Sequence, residues 1–62
     1  MSQPLPQLLT LPELAEALKV PEASIRRWRA DGGGPPAMKV GKHLRWSVSD
    51  VTTWLEGQRS DA

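Results

Sequence analysis

The apolar residues near the start of the chain predict an amphipathic helix. From Leu11 to Leu18 they recur at positions i, i+3, i+4 and i+7, so they share one face of a helix over about 11–18. Thr10 immediately precedes this run, and Glu13 lies three residues after Thr10. This pair has the pattern of a capping box, in which each side chain hydrogen-bonds the backbone of the other residue.

A second helix is predicted over about 22–31, after a connection of only three or four residues. Pro21 cannot continue the first helix, but it can open a new one. Ile25 and Trp28 lie three apart and mark the buried face, and Gly32 is a typical residue just beyond a helix end. Two helices joined by so short a connection have the spacing of a helix-turn-helix.

Apolar and polar residues alternate over 37–46 on both sides of Gly41-Lys42, a pair that favours a two-residue type II′ turn. The segment is therefore predicted to be a β-hairpin. Its apolar face is expected to consist of Met38, Val40, Leu44 and Trp46. Its tip and its other face are expected to carry the basic residues Lys39, Lys42, His43 and Arg45.

A third helix is predicted over about 48–57, because apolar residues recur at helical spacing from Val48 to Leu55. Ser47, followed three residues later by Asp50, favours a helix start at this point. Residues 58–62 are expected to be a frayed tail.

Together these elements predict an α+β fold, mostly α, as a single domain over 1–62. Residues 1–7 are expected to be an extended lead-in, with Leu8 and Leu9 touching the core. Each of the three Trp residues lies on the apolar side of its element and is expected to be structural. The predicted core residues are Leu11, Leu14, Leu18, Val20, Ile25, Trp28, Met38, Val40, Leu44, Trp46, Val51, Trp54 and Leu55.

Composition argues against several classes of function. The chain has no Cys and a single His, His43, so no disulfide, metal site or cofactor is expected. His43 is the only candidate base, and a hairpin tip does not exclude water, so an enzyme is not expected. No apolar run approaches the roughly 20 residues that cross a bilayer, and no signal peptide is apparent. A soluble, cytoplasmic protein is expected.

Charge is distributed unevenly along the chain. Six of the 8 Lys and Arg residues lie between 23 and 49, with only one of the 7 acids, Asp31, although the formal net charge is +1. A basic middle between acidic flanks suits a polyanion that approaches one face. The alternative is a solvated surface with ordinary scatter of charge.

The second helix carries the groups that suit DNA best. Arg27 points away from the buried face and can bind guanine O6 and N7 in the major groove. Arg29 lies closer to the core edge and suits a phosphate, as does Ser24 near the helix start. A basic hairpin that follows such a helix predicts a winged helix-turn-helix. The candidate DNA-binding residues are Ser24, Arg26, Arg27, Arg29, Lys39, Lys42, His43 and Arg45.

Five short motifs support this interpretation: L-x-x-x-E-x-A-x-x-L-x-V, S-I-R-R-W, G-P-P, K-V-G-K-x-x-R-W and S-D-V-x-x-W-L. Together they make residues 8–56 resemble the MerR-like winged helix-turn-helix domains, specifically the excisionase and AlpA-like group of phages and integrative elements. The resemblance implies that the second helix enters the major groove. It also implies that the hairpin wing lies along the backbone or in the minor groove.

The resemblance implies roles as well. Ser24, Arg26 and Arg27 would contact DNA from the helix, and Lys42 from the wing. Excisionases, also called recombination directionality factors, bind and bend attachment-site DNA, often cooperatively, and direct an integrase toward excision. A small AlpA-like transcriptional regulator remains an alternative. A protein-interaction module that uses the acidic residues Glu13 and Glu16 is an alternative of another class.

The chain departs from the family pattern at three positions. Pro21 stands where family members often have a Ser or Thr cap, Ala23 where some have Glu, and Ala30 where others are polar or basic. With fewer base-reading groups, several copies or DNA deformation would have to supply the remaining specificity. No long dimerisation helix follows the third helix, so a monomer that associates on DNA is expected.

Overall fold

The computed structural model describes residues 7–59, which form three helices and a three-stranded antiparallel sheet. The elements in chain order are β1 (Leu8–Leu9), α1 (Leu11–Leu18), α2 (Glu22–Ala30), β2 (Met38–Val40), β3 (His43–Ser47) and α3 (Val48–Gly57). This is the predicted small α+β winged helix-turn-helix. Most of the predicted lead-in and the end of the predicted tail lie outside the described residues.

Hydrogen bonds to the backbone cap both ends of helix α1. Glu13 N–H donates to Thr10 Oγ1 at 3.3 Å, and Thr10 N–H donates to Glu13 Oε1 at 2.9 Å, so the predicted capping box is confirmed. At the other end Lys19 adopts the left-handed region with φ 61°. The Val20 N–H then reaches back to the Ala15 carbonyl at 3.1 Å. This closes the helix and turns the chain sharply toward α2.

Helix α2 ends in the same way but one residue earlier than predicted. Asp31 is the C-cap, and Gly32 follows with φ 85°. The Gly33 N–H donates to the Trp28 carbonyl at 2.7 Å, which is the long bond of a Schellman motif. At its start Pro21 is the N-cap and supplies no side-chain hydrogen bond.

Strand β3 is the centre of the sheet, because β1 and β2 pair with it from opposite sides. The β1 strand was not predicted. Leu9 pairs with Trp46 and packs against the core, whereas Leu8 pairs with Ser47 and is 37% exposed. The expectation that both leucines touch the core is therefore confirmed for Leu9 only.

The predicted division of the hairpin into one apolar and one basic face is wrong. The turn at 41–42 pairs Val40 with His43 and Met38 with Arg45, whereas Lys39 pairs with Leu44. Directly paired residues of an antiparallel sheet share a face. Met38 and Val40 therefore lie on the same face as His43 and Arg45, and Lys39 lies on the face of Leu44 and Trp46.

The core lies between the inner face of the sheet and the helices. Its buried residues are Leu14, Ala15, Ile25, Trp46 and Val51. Partly buried around them are Leu9, Leu11, Leu18, Val20, Trp28, Ala37 and Leu44. Three predicted core residues are instead exposed, namely Met38 at 37%, Val40 at 48% and Leu55 at 43%. Trp54 is half-buried and packs beside the core on Trp28.

Ser47 joins β3 to α3 without a loop. It is the last residue of β3 and the N-cap of α3, where its Oγ accepts the Asp50 N–H at 2.9 Å. Only 6% of Ser47 is exposed. The direct junction fixes where α3 starts relative to the sheet.

Candidate nucleic-acid interface

Helix α2 has one buried residue, Ile25, and three exposed arginines. Ile25 is 1% exposed and holds the helix against the core. Arg27 follows two residues later, on the far side of the helix, and is exposed. Ser24 is half-buried and lies on the Trp28 side of the helix, away from Arg26. The two flanks of α2 therefore have different chemistry.

Arg26 has one ion pair within the same helix. Its Nη2 lies 3.3 Å from Glu22 Oε1, and its side chain is 65% exposed. An exposed pair of this kind contributes only about 0.3–0.5 kcal/mol. Arg26 can therefore exchange Glu22 for a phosphate at little cost.

A cleft of about 270 Å³ separates α2 from β3. Its lining residues are Leu11, Ile25, Arg26, Arg29, Leu44 and Trp46. Arg26 and Arg29 lie one helical turn apart and bring guanidinium groups to an otherwise apolar wall. The arginine-bearing flank of α2 thus faces the same groove that the hairpin bounds. We call this groove the α2–β3 cleft.

The hairpin tip carries exposed basic side chains. Gly41 has φ 65°, and no other residue of the turn has a positive φ, which agrees with the predicted type II′ turn. Lys42 and His43 are exposed, and so is Lys39 on the edge strand β2. The tip therefore offers one flexible ammonium group and one imidazole.

Arg45 is less exposed than the other basic residues of the predicted site. It is half-buried, and its Nη1 donates to the Leu44 carbonyl at 2.7 Å. The backbone N–H of Thr10, followed by its hydroxyl, lowers the pKa of Glu13 below its ordinary value of 4.5; burial opposes the shift and the Arg45 charge reinforces it. Arg45 therefore lies close enough to α1 for its charge to act on the Glu13 carboxyl, which the sequence pattern did not indicate.

The opposite flank of α2 has a second cleft, of about 420 Å³, which we call the tryptophan cleft. Its lining residues are Trp28, Asp31, Gly33, Gly34, Trp54 and Gln58. The two indole rings lie 5.5 Å apart at an angle of 38°. Sequence reasoning placed both tryptophans in the core and missed this surface, because helical periodicity does not distinguish a fully buried position from one at the edge of the core.

The fold and these charged surfaces define a small DNA-binding domain. A family model described as a helix-turn-helix domain matches residues 8–59, and the chain belongs to this family. Membership identifies a sequence-specific binder of double-stranded DNA, in a family that is typically not enzymatic. No curated protein and no solved structure matches the chain. In the part of the chain from 7 to 59, no helix is long and apolar enough to span a membrane.

Proposed function

We propose that the protein is an excisionase of a phage or integrative element. It binds and bends attachment-site DNA and thereby directs a partner integrase toward excision. The observation that carries the proposal is the α2–β3 cleft, which combines the arginine flank of α2 with the inner wall of the hairpin. A cleft of about 270 Å³ is far too small to admit a duplex, so in the proposed complex the DNA lies over its rim and contacts Arg26 and Arg29 there.

In the proposed complex α2 enters the major groove, where Arg27 faces the base edges. Arg27 is exposed on the side of α2 away from Ile25, and a guanidinium can bind guanine bidentately. Arg26 and Arg29 lie nearer the cleft and suit phosphates on one side of the groove, and Ser24 suits a phosphate on the other. Lys42 and His43 at the hairpin tip contact the backbone or the adjacent minor groove.

The small number of base-reading groups favours action by several copies. Ala23 and Ala30 are both exposed on the outer surface of α2, and neither can hydrogen-bond a base edge. One copy therefore discriminates weakly between sequences. Adjacent copies on repeated sites, together with sequence-dependent bending, supply the remaining specificity. Cooperative binding of this kind also suits an architectural role in recombination.

A footprint on the attachment region of the encoding element tests the role. We expect several adjacent protected sites. In circularly permuted fragments the complex should migrate most slowly when the site lies near the middle of the fragment, as a bend requires. Adding the partner integrase should show that the protein stimulates excision. Protection confined to a promoter, with no effect on excision, would instead indicate the AlpA-like regulator.

Two substitutions separate base reading from backbone contact. Arg27→Ala is expected to reduce discrimination between cognate and random duplex by about 1–3 kcal/mol. Lys42→Ala is the matched control and should weaken binding to both duplexes equally, with the salt slope shallower by about one. If Arg27→Ala leaves site preference intact, α2 is not the reading helix. An affinity that does not change between about 50 and 200 mM salt would favour the protein-interaction alternative.

A further inference from the structure

None of the residues proposed to contact DNA lines the tryptophan cleft, which has a chemistry of its own. Trp28 and Trp54 are half-buried, and both line the cleft. Asp31 contributes an exposed carboxylate to the same cleft. Within residues 7–59 the one ion pair joins Arg26 to Glu22, and Asp31 has no basic partner.

The geometry of Trp28 depends on the loop that follows α2. Gly34 has φ 83°, and a Cβ built at this position would lie 3.1 Å from the Trp28 Cβ. The backbone therefore approaches the tryptophan more closely than any other residue type would allow without displacement. This contact holds Trp28 beside the loop, and Gly34 and Trp28 both line the cleft.

Two helix ends add negative potential to the same place. Asp31 is the C-cap of α2 and Gln58 is the C-cap of α3, and both line the cleft. The C-terminal end of a helix carries a partial negative charge. Indole faces are electron-rich and attract cations. A carboxylate, two indoles and two helix ends therefore all favour a positively charged ligand.

The chemistry favours a guanidinium over an ammonium group. A planar guanidinium can lie flat on an indole while its N–H groups bind a carboxylate, whereas the compact, strongly hydrated ammonium cannot do both as well. The cleft volume of about 420 Å³ leaves room for one such side chain and its neighbours.

We propose that the tryptophan cleft binds an arginine side chain presented by an exposed segment of a partner protein. The cleft lies on the flank of α2 that faces away from the α2–β3 cleft. Of the proposed DNA contacts only Ser24 lies on this flank, and it does not line the cleft, so the domain can hold DNA and a basic protein segment at the same time. The inference is independent of the excisionase role, because it requires only the fold and the charge of this cleft.

The test is a titration of the ¹⁵N-labelled protein with the blocked peptide acetyl-Gly-Arg-Gly-amide. The indole N–H signals of Trp28 and Trp54 are expected to shift in a saturable way, with a Kd on the order of 1 mM. The indole of Trp46, which is 1% exposed, is an internal control and should not shift. The same peptide with citrulline in place of arginine has nearly the same shape without the charge and should bind at least about fivefold more weakly.

Three charge variants complete the experiment. Asp31→Asn should weaken peptide binding about fivefold, whereas Glu56→Gln removes an exposed acid of α3 that does not line the cleft and should change nothing. Equal binding of the arginine and citrulline peptides, or no effect of Asp31→Asn, would overturn the proposal. So would indole shifts that depend on protein concentration without peptide and disappear in Arg59→Gln, because a second copy would then occupy the cleft.

Duplex binding by the same variants separates this proposal from the proposed function. Asp31→Asn is expected to lose arginine-peptide binding and to keep its affinity for DNA. Arg27→Ala is expected to show the reverse. A protein that binds the peptide but stimulates no excision would refute the excisionase role alone.

Discussion

The two strands of the hairpin differ in almost every respect except their pairing. β3 is the central strand of the sheet, and its Trp46 and Ser47 are 1% and 6% exposed. β2 is an edge strand in which all three residues are exposed. One strand therefore builds the core, while the other supports the tip that carries Lys42. Substitutions in β3 should act on stability, and substitutions at the tip should act on DNA binding.

The largest effect is expected at Trp46. Trp46→Ala should destabilise the fold by about 3–5 kcal/mol, because it removes a fully buried aromatic side chain. This is about the whole stability that a core of this size provides, so the variant should be unfolded by circular dichroism at room temperature. Met38→Ala on β2 is the matched control and should change the urea-derived free energy of unfolding by no more than about 0.5 kcal/mol.

Trp46→Phe sharpens the same test. Within residues 7–59 the buried Trp46 Nε1–H has no hydrogen-bond partner. A phenyl ring keeps much of the buried area and removes this unsatisfied donor. The Phe variant should therefore remain folded. A folded Trp46→Ala variant with little loss of stability would show that β3 is not the strand that carries the core.

An intermediate effect is expected at the hairpin turn. Gly41 has φ 65°, and a Cβ there would meet nothing within 4 Å. Gly41→Ala should therefore cost only the left-handed backbone penalty, about 1–2 kcal/mol. Gly57→Ala has equally open space but lies in α3 without a positive φ. The same substitution there should stabilise the fold by up to about 1 kcal/mol. Urea unfolding of the two variants measures the sign of each change in the free energy of unfolding. Losses of similar size in both variants would contradict the assignment of a backbone penalty to Gly41 alone.

The smallest effect is the pH dependence at Glu13. The Thr10 backbone hydrogen bond is the main cause that lowers the pKa of this carboxyl below its ordinary value of 4.5. A depressed pKa in the folded state means that the charged form stabilises the fold above pH 4.5 and that this stability is lost as pH falls through the lower, folded value. The thermal midpoint should therefore fall between pH 6 and 3, less steeply in Glu13→Gln. Parallel curves for the two proteins would show that Glu13 does not contribute.

The helices could be predicted well because their signals are local. A capping pair at Thr10 and Glu13, a proline at 21 and a glycine at 32 mark helix ends through backbone geometry alone. The observed ends lie within one residue of the predicted ones. β1 could not be predicted in the same way, since two leucines are too short to show alternation, and their pairing depends on the distant strand β3.

The error in the hairpin faces has a different origin. Apolar and polar residues alternate along each strand as predicted. The two-residue turn, however, decides which residues of the two strands share a face. A turn at 41–42 requires Met38 to lie opposite Arg45. Combining the turn with the alternation would therefore have predicted the observed faces from the sequence. Met38 and Val40 are exposed because this register places them on the face of the sheet opposite Leu44 and Trp46, which pack toward the core.

The site was predictable in its residue types but not in its arrangement. The arginines of α2 and the lysine of the tip follow from the charge distribution. The influence of Arg45 on Glu13 depends on how the sheet packs near α1. The tryptophan cleft arises where the ends of α2 and α3 meet, and no local pattern relates Trp28 to Trp54.

The central claim is that the arginine flank of α2 and the hairpin tip contact one duplex at the same time. The most direct test is to add the duplex identified by footprinting to the ¹⁵N-labelled protein and to record the chemical-shift changes of the amide and indole N–H signals. The account predicts that signals from Arg26 to Arg29 and from Lys42 and His43 shift together, while the Trp54 indole does not. Shifts confined to one of the two surfaces, or centred on Trp54 and α3, would contradict it.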